Sequence, residues 1–173
     1  MNKRILKRAF SVLMIMSCVF TMTACQKKKE KADTGKYTST EVSDVIVKSM
    51  TDLPEMNTDK SGDSKAEHIF AVLSDIEYDR IEDFTYLRAK EDNNLAEEIA
   101  VIRVKDKNDL AIVKKGLEER VTHRKDYFVQ YNKPDEVTKV ENAVITVKGN
   151  YAVMIIGNQA GNGKYEFEKF LDK

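Results

Sequence analysis

The feature that most constrains the fold of this chain is a pair of apolar runs near its C-terminus. The runs cover residues 143–148 and 151–156, and the dipeptide Gly149-Asn150 separates them. Such a link is typical of a β-hairpin, because glycine adopts the positive φ that a tight turn requires. Since both faces of the hairpin are rich in apolar residues, we expect it to lie centrally in a sheet. One face carries Ile145, Val147, Ala152, Met154 and Ile156.

Three further patterns predict the remaining main elements. Residues 99–104 predict a strand with Ala100, Ile102 and Val104 on one face, and residues 84–88 a weaker strand. Apolar residues at helical spacing predict a long helix from Asp109 to Tyr131. Its predicted packing face is Leu110, Val113, Leu117, Val121, Tyr127, Phe128 and Tyr131, and its predicted outer side is Lys115, Glu118, Glu119, Arg124 and Lys125. Shorter helices are predicted for residues 41–50 and 165–171.

The order of these elements indicates the fold class. Strands joined by short links pair antiparallel, and a long helix between them covers one face of the resulting sheet. We therefore expect residues 38–173 to form a single α+β domain, with a mainly antiparallel sheet of about four strands and the long helix packed on one face. About 135 residues suffice for one core.

The N-terminus carries the pattern of an export signal. Four cations within residues 3–8 precede an almost wholly apolar run over residues 9–20, and small or polar residues then lead to Cys25. The apolar run is shorter than the roughly 20 residues that cross a bilayer as a helix. We interpret residues 1–24 as a lipoprotein signal peptide.

The residues Met22-Thr23-Ala24-Cys25 resemble the lipobox of bacterial lipoproteins. The resemblance implies cleavage before Cys25 and a diacylglyceryl group on its thiol. Membrane lipid would then hold the protein on the extracytoplasmic face of the cell membrane. Cys18 would leave with the signal, so that the mature chain has one cysteine and no internal disulfide. The alternative is an ordinary free thiol at Cys25.

Residues 25–37 are predicted to be the lipidated cysteine and a basic tether. Five lysines face two acids there: Lys27, Lys28, Lys29, Lys31 and Lys36 against Glu30 and Asp33. Attraction to anionic head groups and a plain hydrophilic spacer are equally open interpretations. The whole chain has 29 basic and 29 acidic residues. Losing four signal cations makes the mature protein mildly acidic, which argues against nucleic-acid binding.

Two segments approach known binding loops without completing them. Residues 158–165 resemble a phosphate loop, but Asn158 and Tyr165 occupy positions that require Gly and Ser or Thr. Residues 57–63 resemble the start of a calcium loop, but His68 stands where a bidentate Glu is needed. We expect a glycine-containing loop and a polar loop, respectively.

The other candidate residues do not form a catalytic set. His68 and His123 lack partners at metal spacing, so a structural or solvent-exposed role is expected, and no metal or cofactor. The adjacent acids of Glu97-Glu98 and Glu118-Glu119 diverge on a strand or a helix and do not form carboxylate pairs. No catalytic, cofactor-binding or metal-binding residue is nominated.

Three segments carry a resemblance to a known family. They are residues 98–106 (EIAVIRVKD), 113–120 (VKKGLEER) and 142–151 (NAVITVKGNY). Together with the lipoprotein start, they resemble the domain-of-unknown-function family numbered 4358, found in lipoproteins of Gram-positive bacteria. The resemblance implies a membrane-anchored extracytoplasmic domain, and no functional residues come with it.

Two functional hypotheses follow. The first is a non-catalytic binding or interaction module that is displayed outside the cell membrane and binds an envelope protein or peptide. The second is an envelope enzyme, hydrolase-like, whose site is assembled from residues far apart in the sequence.

Overall fold

The computed structural model describes residues 35–90 and 94–173. The predicted signal peptide and the lipidation site Cys25 lie outside the described residues. Within the described part, the strands are β1 (Met56–Lys60), β2 (Ile81–Ala89), β3 (Glu98–Val104), β4 (Val144–Lys148) and β5 (Tyr151–Ile156). The helices are α1 (Ser39–Lys48), α2 (Ala66–Phe70), α3 (Leu110–Gln130), α4 (Pro134–Glu141) and α5 (Ala160–Leu171). None of these helices has the length and apolar character needed to span a membrane.

The five strands form one antiparallel sheet in the order β1-β2-β3-β5-β4. The predicted hairpin is confirmed as β4 and β5. Within this hairpin only β5 lies in the interior of the sheet, because it also pairs with β3, whereas β4 is an edge strand. Val147, on this edge strand, is therefore 43% exposed, so the expected central position is wrong for half of the hairpin.

The sheet is covered on both faces. On one face α3 packs over a core that contains Ala100, Ile102 and Val104 from β3 and Ala152, Met154 and Ile156 from β5. On the other face α1 and α5 pack over Ile99, Val101, Val153 and Ile155. The α+β domain with a long helix on one face is confirmed. Burial on both faces explains why β3 and β5 are almost continuously apolar.

Several boundaries differ from the sequence predictions. Helix α1 begins at Ser39 rather than Glu41, because Thr38 and Glu41 form a capping box. Helix α5 begins at Ala160 rather than Tyr165. The segment 57–63, expected to be a polar loop, supplies most of β1, which pairs with β2. An edge strand exposed to solvent has no apolar alternation to reveal it.

Helix α3 matches the predicted long helix closely, but its predicted faces need correction. Tyr127 and Tyr131 are 38% and 55% exposed, so their assignment to the packing face is wrong. In the C-terminal turn of α3, Phe128 is the residue that is buried in the core. Arg124, predicted on the outer side, points inward.

Gly116 is the point of closest approach between α3 and the segment after α2. A Cβ placed on Gly116 would lie 2.6 Å from the carbonyl oxygen of Leu73 and 2.6 Å from Cα of Ser74. Because both atoms belong to the backbone, they have no rotamer by which to move away. This glycine therefore allows α3 to lie directly against the backbone of residues 73–74.

Candidate functional site

A buried carboxylate lies at the beginning of β3. The side chain of Glu98 is 1% exposed and lies on the same face as Ala100, beneath α3. In the neighbouring strand β2, Tyr86 is paired with Ala100 and Arg88 with Glu98. The hydroxyl of Tyr86 donates a hydrogen bond of 2.8 Å to Oε2 of Glu98. The strand register therefore places a phenol and a carboxylate side by side under the helix.

Two arginines of α3, one helical turn apart, complete this cluster. Nε of Arg120 donates to Oε2 of Glu98 at 3.0 Å, and its Nη2 donates to Oε1 at 2.7 Å. The same Nη2 donates to the hydroxyl oxygen of Tyr86 at 3.0 Å. Nε of Arg124 lies 2.6 Å from Oε1 of Glu98, and its Nη2 donates to the carbonyl oxygen of Leu95 at 2.9 Å. Spacing of four residues puts both guanidinium groups on one face of the helix.

The electrostatics of the cluster follow from burial and mutual charge. Burial raises the pKa of the Tyr86 phenol well above its ordinary value, and the Glu98 carboxylate raises it further. For Arg120, burial opposes the charged form, but the charge and hydrogen bonds of Glu98 outweigh it and raise the pKa of the guanidinium. At neutral pH, Tyr86 is therefore a protonated donor and Arg120 a fixed cation.

A cavity of about 420 Å³ lies beside this cluster. Its charged lining consists of four cations and one carboxylate: Arg88, Lys90, Arg120, Arg124 and Glu98. Ion pairs with residues outside the lining hold two of the cations, Arg88 with Asp59 at 3.4 Å and Lys90 with Glu55 at 2.5 Å. The apolar part of the lining includes Ile69, Val72 and Tyr127. Positive charge thus exceeds negative charge around the cavity.

Each guanidinium of the cluster keeps a donor group to spare. Arg120 donates from Nε and Nη2 within the cluster. Arg124 donates from Nη2, and its Nε is ion-paired with Glu98 without forming a hydrogen bond. Within residues 35–90 and 94–173, Nη1 of either arginine donates to no acceptor. Arginine presents its donors as a planar fork that fits carboxylate and phosphate oxygens. The geometry is therefore suited to holding an anionic group.

The adjacent acid, Glu97, belongs to a separate cluster. Its Oε1 accepts from Nζ of Lys139 at 2.8 Å, and Lys139 also pairs with Glu136 at 3.0 Å. Glu136 accepts a hydrogen bond of 2.7 Å from the backbone N–H of Ala96. The prediction that Glu97 and Glu98 diverge is confirmed. This second cluster joins α4 to the segment before β3 and so supports the Glu98 end of the sheet.

The structure separates the other candidate residues. His68 and His123 are exposed, on α2 and α3 respectively, as expected. Asn57 and Asp59 lie in β1, while Asp63 accepts from the backbone N–H of Lys60 in the turn that follows. Most of the segment 158–165 belongs to α5, so the expected loop is wrong. Across the described ranges no three His, Cys, Asp or Glu side chains are grouped so that they could hold a metal.

The cluster of Tyr86, Glu98, Arg120 and Arg124 was not nominated from the sequence. One signal was available. Val113, Leu117 and Phe128 are the buried apolar residues of α3, and Arg120 and Arg124 continue their spacing of three and four residues. Charged residues on a helix stripe that is otherwise buried indicate a buried partner of opposite charge.

Replacing Tyr86 with Phe tests the electrostatics of the cluster. Above pH about 10 the phenol ionises in the unfolded state but stays protonated in the folded state, so stability falls as the pH rises. Tyr86→Phe removes this contribution. At pH about 8 we expect the unfolding free energy of the variant to be about 1–2 kcal/mol lower than that of the parent protein. When the pH is raised from about 8 to about 11, we expect the unfolding free energy to fall less in the variant than in the parent protein. Urea unfolding at the two pH values measures both quantities.

The matched control for this prediction is Tyr165→Phe, because Tyr165 is 63% exposed. Its unfolding free energy at pH about 8 is expected to equal that of the parent protein. The same alkaline loss of stability in the parent protein and in Tyr86→Phe would contradict the assignment of Tyr86 as a buried, protonated donor to Glu98.

Comparisons with known proteins identify the family. No curated protein and no solved structure matches the chain. A sequence model of one family, described as a domain of unknown function, DUF4358, matches residues 54–157. The match contains all five strands and the Tyr86, Glu98, Arg120 and Arg124 cluster, whereas α1 and α5 lie outside it. Because the match covers more than half of the sequence, the chain belongs to the DUF4358 family.

Proposed function

We propose that the protein is a membrane-anchored extracytoplasmic lipoprotein and that its folded domain is a non-catalytic binding module. The basis for the anchor is the segment from the basic start to Cys25, with its lipobox-like end. The basis for binding is the cavity beside Glu98. In this proposal the cavity is the binding site, and its ligand carries an anionic group.

The observation that carries the binding proposal is the pair of guanidinium groups held at the cavity by one buried carboxylate. Glu98 fixes Arg120 and Arg124 in place, and each keeps Nη1 available to a ligand. A carboxylate or phosphate group of a ligand would accept hydrogen bonds from both. Preorganised donors reduce the entropy that is lost when the ligand binds.

The apolar part of the cavity indicates what accompanies the anionic group. Ile69 and Val72 come from α2 and the turn after it, and Tyr127 comes from α3. Their side chains provide apolar surface next to the arginines. Pockets of this mixed kind bind ligands through apolar contact and fix their orientation with a few polar groups. An envelope protein or peptide that presents a carboxylate beside an apolar side chain fits this description.

The cluster is better suited to binding than to catalysis. The raised pKa of Tyr86 makes its phenol a poor base or nucleophile at neutral pH. Glu98 already accepts from Tyr86 and Arg120 and pairs with Arg124, so its oxygens are engaged. The hydrolase-like alternative stays a prediction. Turnover by the purified protein that is lost in Arg124→Gln, at unchanged stability, would favour it.

The anchor is tested by replacing Cys25. Cys25→Ala removes the thiol that would carry the lipid, so we expect no incorporation of a fatty-acid probe and an uncleaved N-terminus in intact cells. Cys18→Ala is the matched control, since it removes the other cysteine and is expected to label like the parent protein. Continued labelling of Cys25→Ala would refute lipidation at this residue.

Binding is tested by titrating the protein with benzoate and with its neutral isostere benzamide. Benzoate combines an anionic group with an apolar ring, and its carboxylate fits the guanidinium donors. We expect benzoate to shift the NMR signals of Arg120, Arg124 and Tyr127, and benzamide to leave them in place. Arg124→Gln removes one guanidinium and is expected to weaken benzoate binding about tenfold or more, the effect of roughly 1.5–3 kcal/mol.

The control variant for the titration is Lys125→Gln. Lys125 is the next residue of α3 but pairs with Glu141 outside the cavity, at 2.7 Å. Lys125→Gln removes one positive charge, as Arg124→Gln does, and this variant is expected to bind benzoate like the parent protein. NMR shifts with benzamide equal to those with benzoate would show that the arginines do not select an anion. An equal loss of benzoate affinity in Arg124→Gln and Lys125→Gln would show the same.

A further inference from the structure

We infer that the domain docks on anionic lipid head groups through the end at which the chain enters it from Cys25, so that the cavity beside Glu98 faces away from the bilayer. The inference rests on the proposed lipidation of Cys25 and adds to it a surface and an orientation. The partner it specifies is the head-group layer of an anionic membrane.

The docking surface is a basic hollow of about 270 Å³. Its lining has four lysine side chains and no Asp or Glu side chain: Lys36, Lys107, Lys148 and Lys173. Lys148 is paired with Asp172 at 2.6 Å. In the described part of the chain the other three form no ion pair. The ammonium groups of Lys36 and Lys173 lie over the rings of Tyr37 and Phe170. Four ammonium groups exceed the two nearby carboxylates, those of Asp172 and of the C-terminus at Lys173, so the hollow carries net positive charge.

The hollow lies where the chain enters the domain. Arg103 donates from Nη1 to the carbonyl oxygen of Gly35 at 3.1 Å. The Tyr151 hydroxyl donates to the carbonyl oxygen of Tyr37 at 2.5 Å and accepts from its N–H at 3.3 Å. These contacts fix residues 35–37 in the wall of the hollow. Gly35 lies ten residue steps after Cys25, a length of at most about 35 Å, so a lipid on Cys25 keeps the hollow close to the membrane surface.

The cavity lies at the opposite end of the sheet. Val104, the last residue of β3, is bonded to Asn150 in the hairpin turn beside the hollow, through both its N–H and its carbonyl oxygen. Glu98 is the first residue of the same strand. Six residue steps along a strand cover about 20 Å. With the hollow against the bilayer, the cavity would be held about this distance farther out, open to soluble or membrane-borne ligands.

The expected strength of docking follows from surface electrostatics. A lysine close to an anionic leaflet contributes up to about a fivefold preference, and this preference falls as salt shortens the Debye length. The tether already holds the domain near the membrane. In this proposal the three lysines that form no ion pair orient a domain that the lipid alone would leave free to rotate.

The test uses the lipidated mature protein in vesicles, with one fluorescent probe at a time. Ala111→Cys and Val129→Cys place exposed probe sites on α3, near the hollow and near the cavity. The sites are about 27 Å apart along one helix, and neither removes a lysine. Cys25 carries the lipid, so the introduced thiol is the one that reacts. The quencher is a nitroxide on the lipid head group, and its effect is compared in phosphatidylcholine vesicles with and without phosphatidylglycerol.

With phosphatidylglycerol present, we expect the probe at 111 to be quenched at least about twofold more than the probe at 129. The difference should disappear in Lys36→Gln/Lys107→Gln/Lys173→Gln and in about 1 M salt, where the Debye length is about 3 Å. Lys48→Gln/Lys133→Gln/Lys164→Gln is the matched control, since it removes the same charge from exposed lysines outside the hollow. That variant should keep the difference.

Two further results have distinct meanings. The orientation would be overturned, with the anchor intact, if lipidated protein showed equal quenching at positions 111 and 129. It would also be overturned if the two triple variants lost the quenching difference to the same extent. Protein whose intact mass lacks the diacylglyceryl group would refute the anchor itself, and the orientation with it. Mass spectrometry of each vesicle preparation distinguishes these results.

Discussion

The arrangement of the domain around its cavity depends on the buried carboxylate of Glu98. A charge in the interior is tolerated only when it is paired and hydrogen-bonded. Tyr86 supplies a donor from the neighbouring strand, and Arg120 and Arg124 supply two guanidinium groups from the helix above. One carboxylate therefore joins β2, β3 and α3. It also fixes two cations at the edge of a cavity, which ties the stability of the fold to the charge of the proposed binding site.

The parts of the fold that could be predicted from the sequence are those with strong apolar periodicity. The hairpin, β3 and α3 each bury side chains at a spacing that identifies the element. Strand β1 carries no such signal, because Asn57, Asp59 and Lys60 contribute backbone hydrogen bonds at an edge and little apolar surface. The helix predicted for residues 165–171 is shorter than α5, because glycines at 161 and 163 usually mark a loop. Gly163 is instead buried against Ile155, where a Cβ would lie 2.8 Å from that side chain.

The candidate site could be predicted only in part, because its members lie far apart in the sequence. Glu98 begins a strand, where an acid is usually in solvent, and its partners lie 12 residues before it and 22 and 26 residues after it. Arg124 was assigned to the outer side of α3 because charged residues usually lie there. Helical periodicity places Arg124 on the buried stripe, but its partner Glu98 follows from the strand register beneath the helix, which local periodicity does not contain.

Glu98 and Arg120 depend on each other for their place in the fold, and a double-mutant cycle measures this dependence. The free energies of unfolding in urea would be compared for the parent protein, Glu98→Gln, Arg120→Gln and the double variant. We predict a coupling free energy of about 1–3 kcal/mol, with the exposed Lys114 and Glu118 pair showing no measurable coupling in a parallel cycle. Additive losses for Glu98 and Arg120 would show that the two side chains do not stabilise each other.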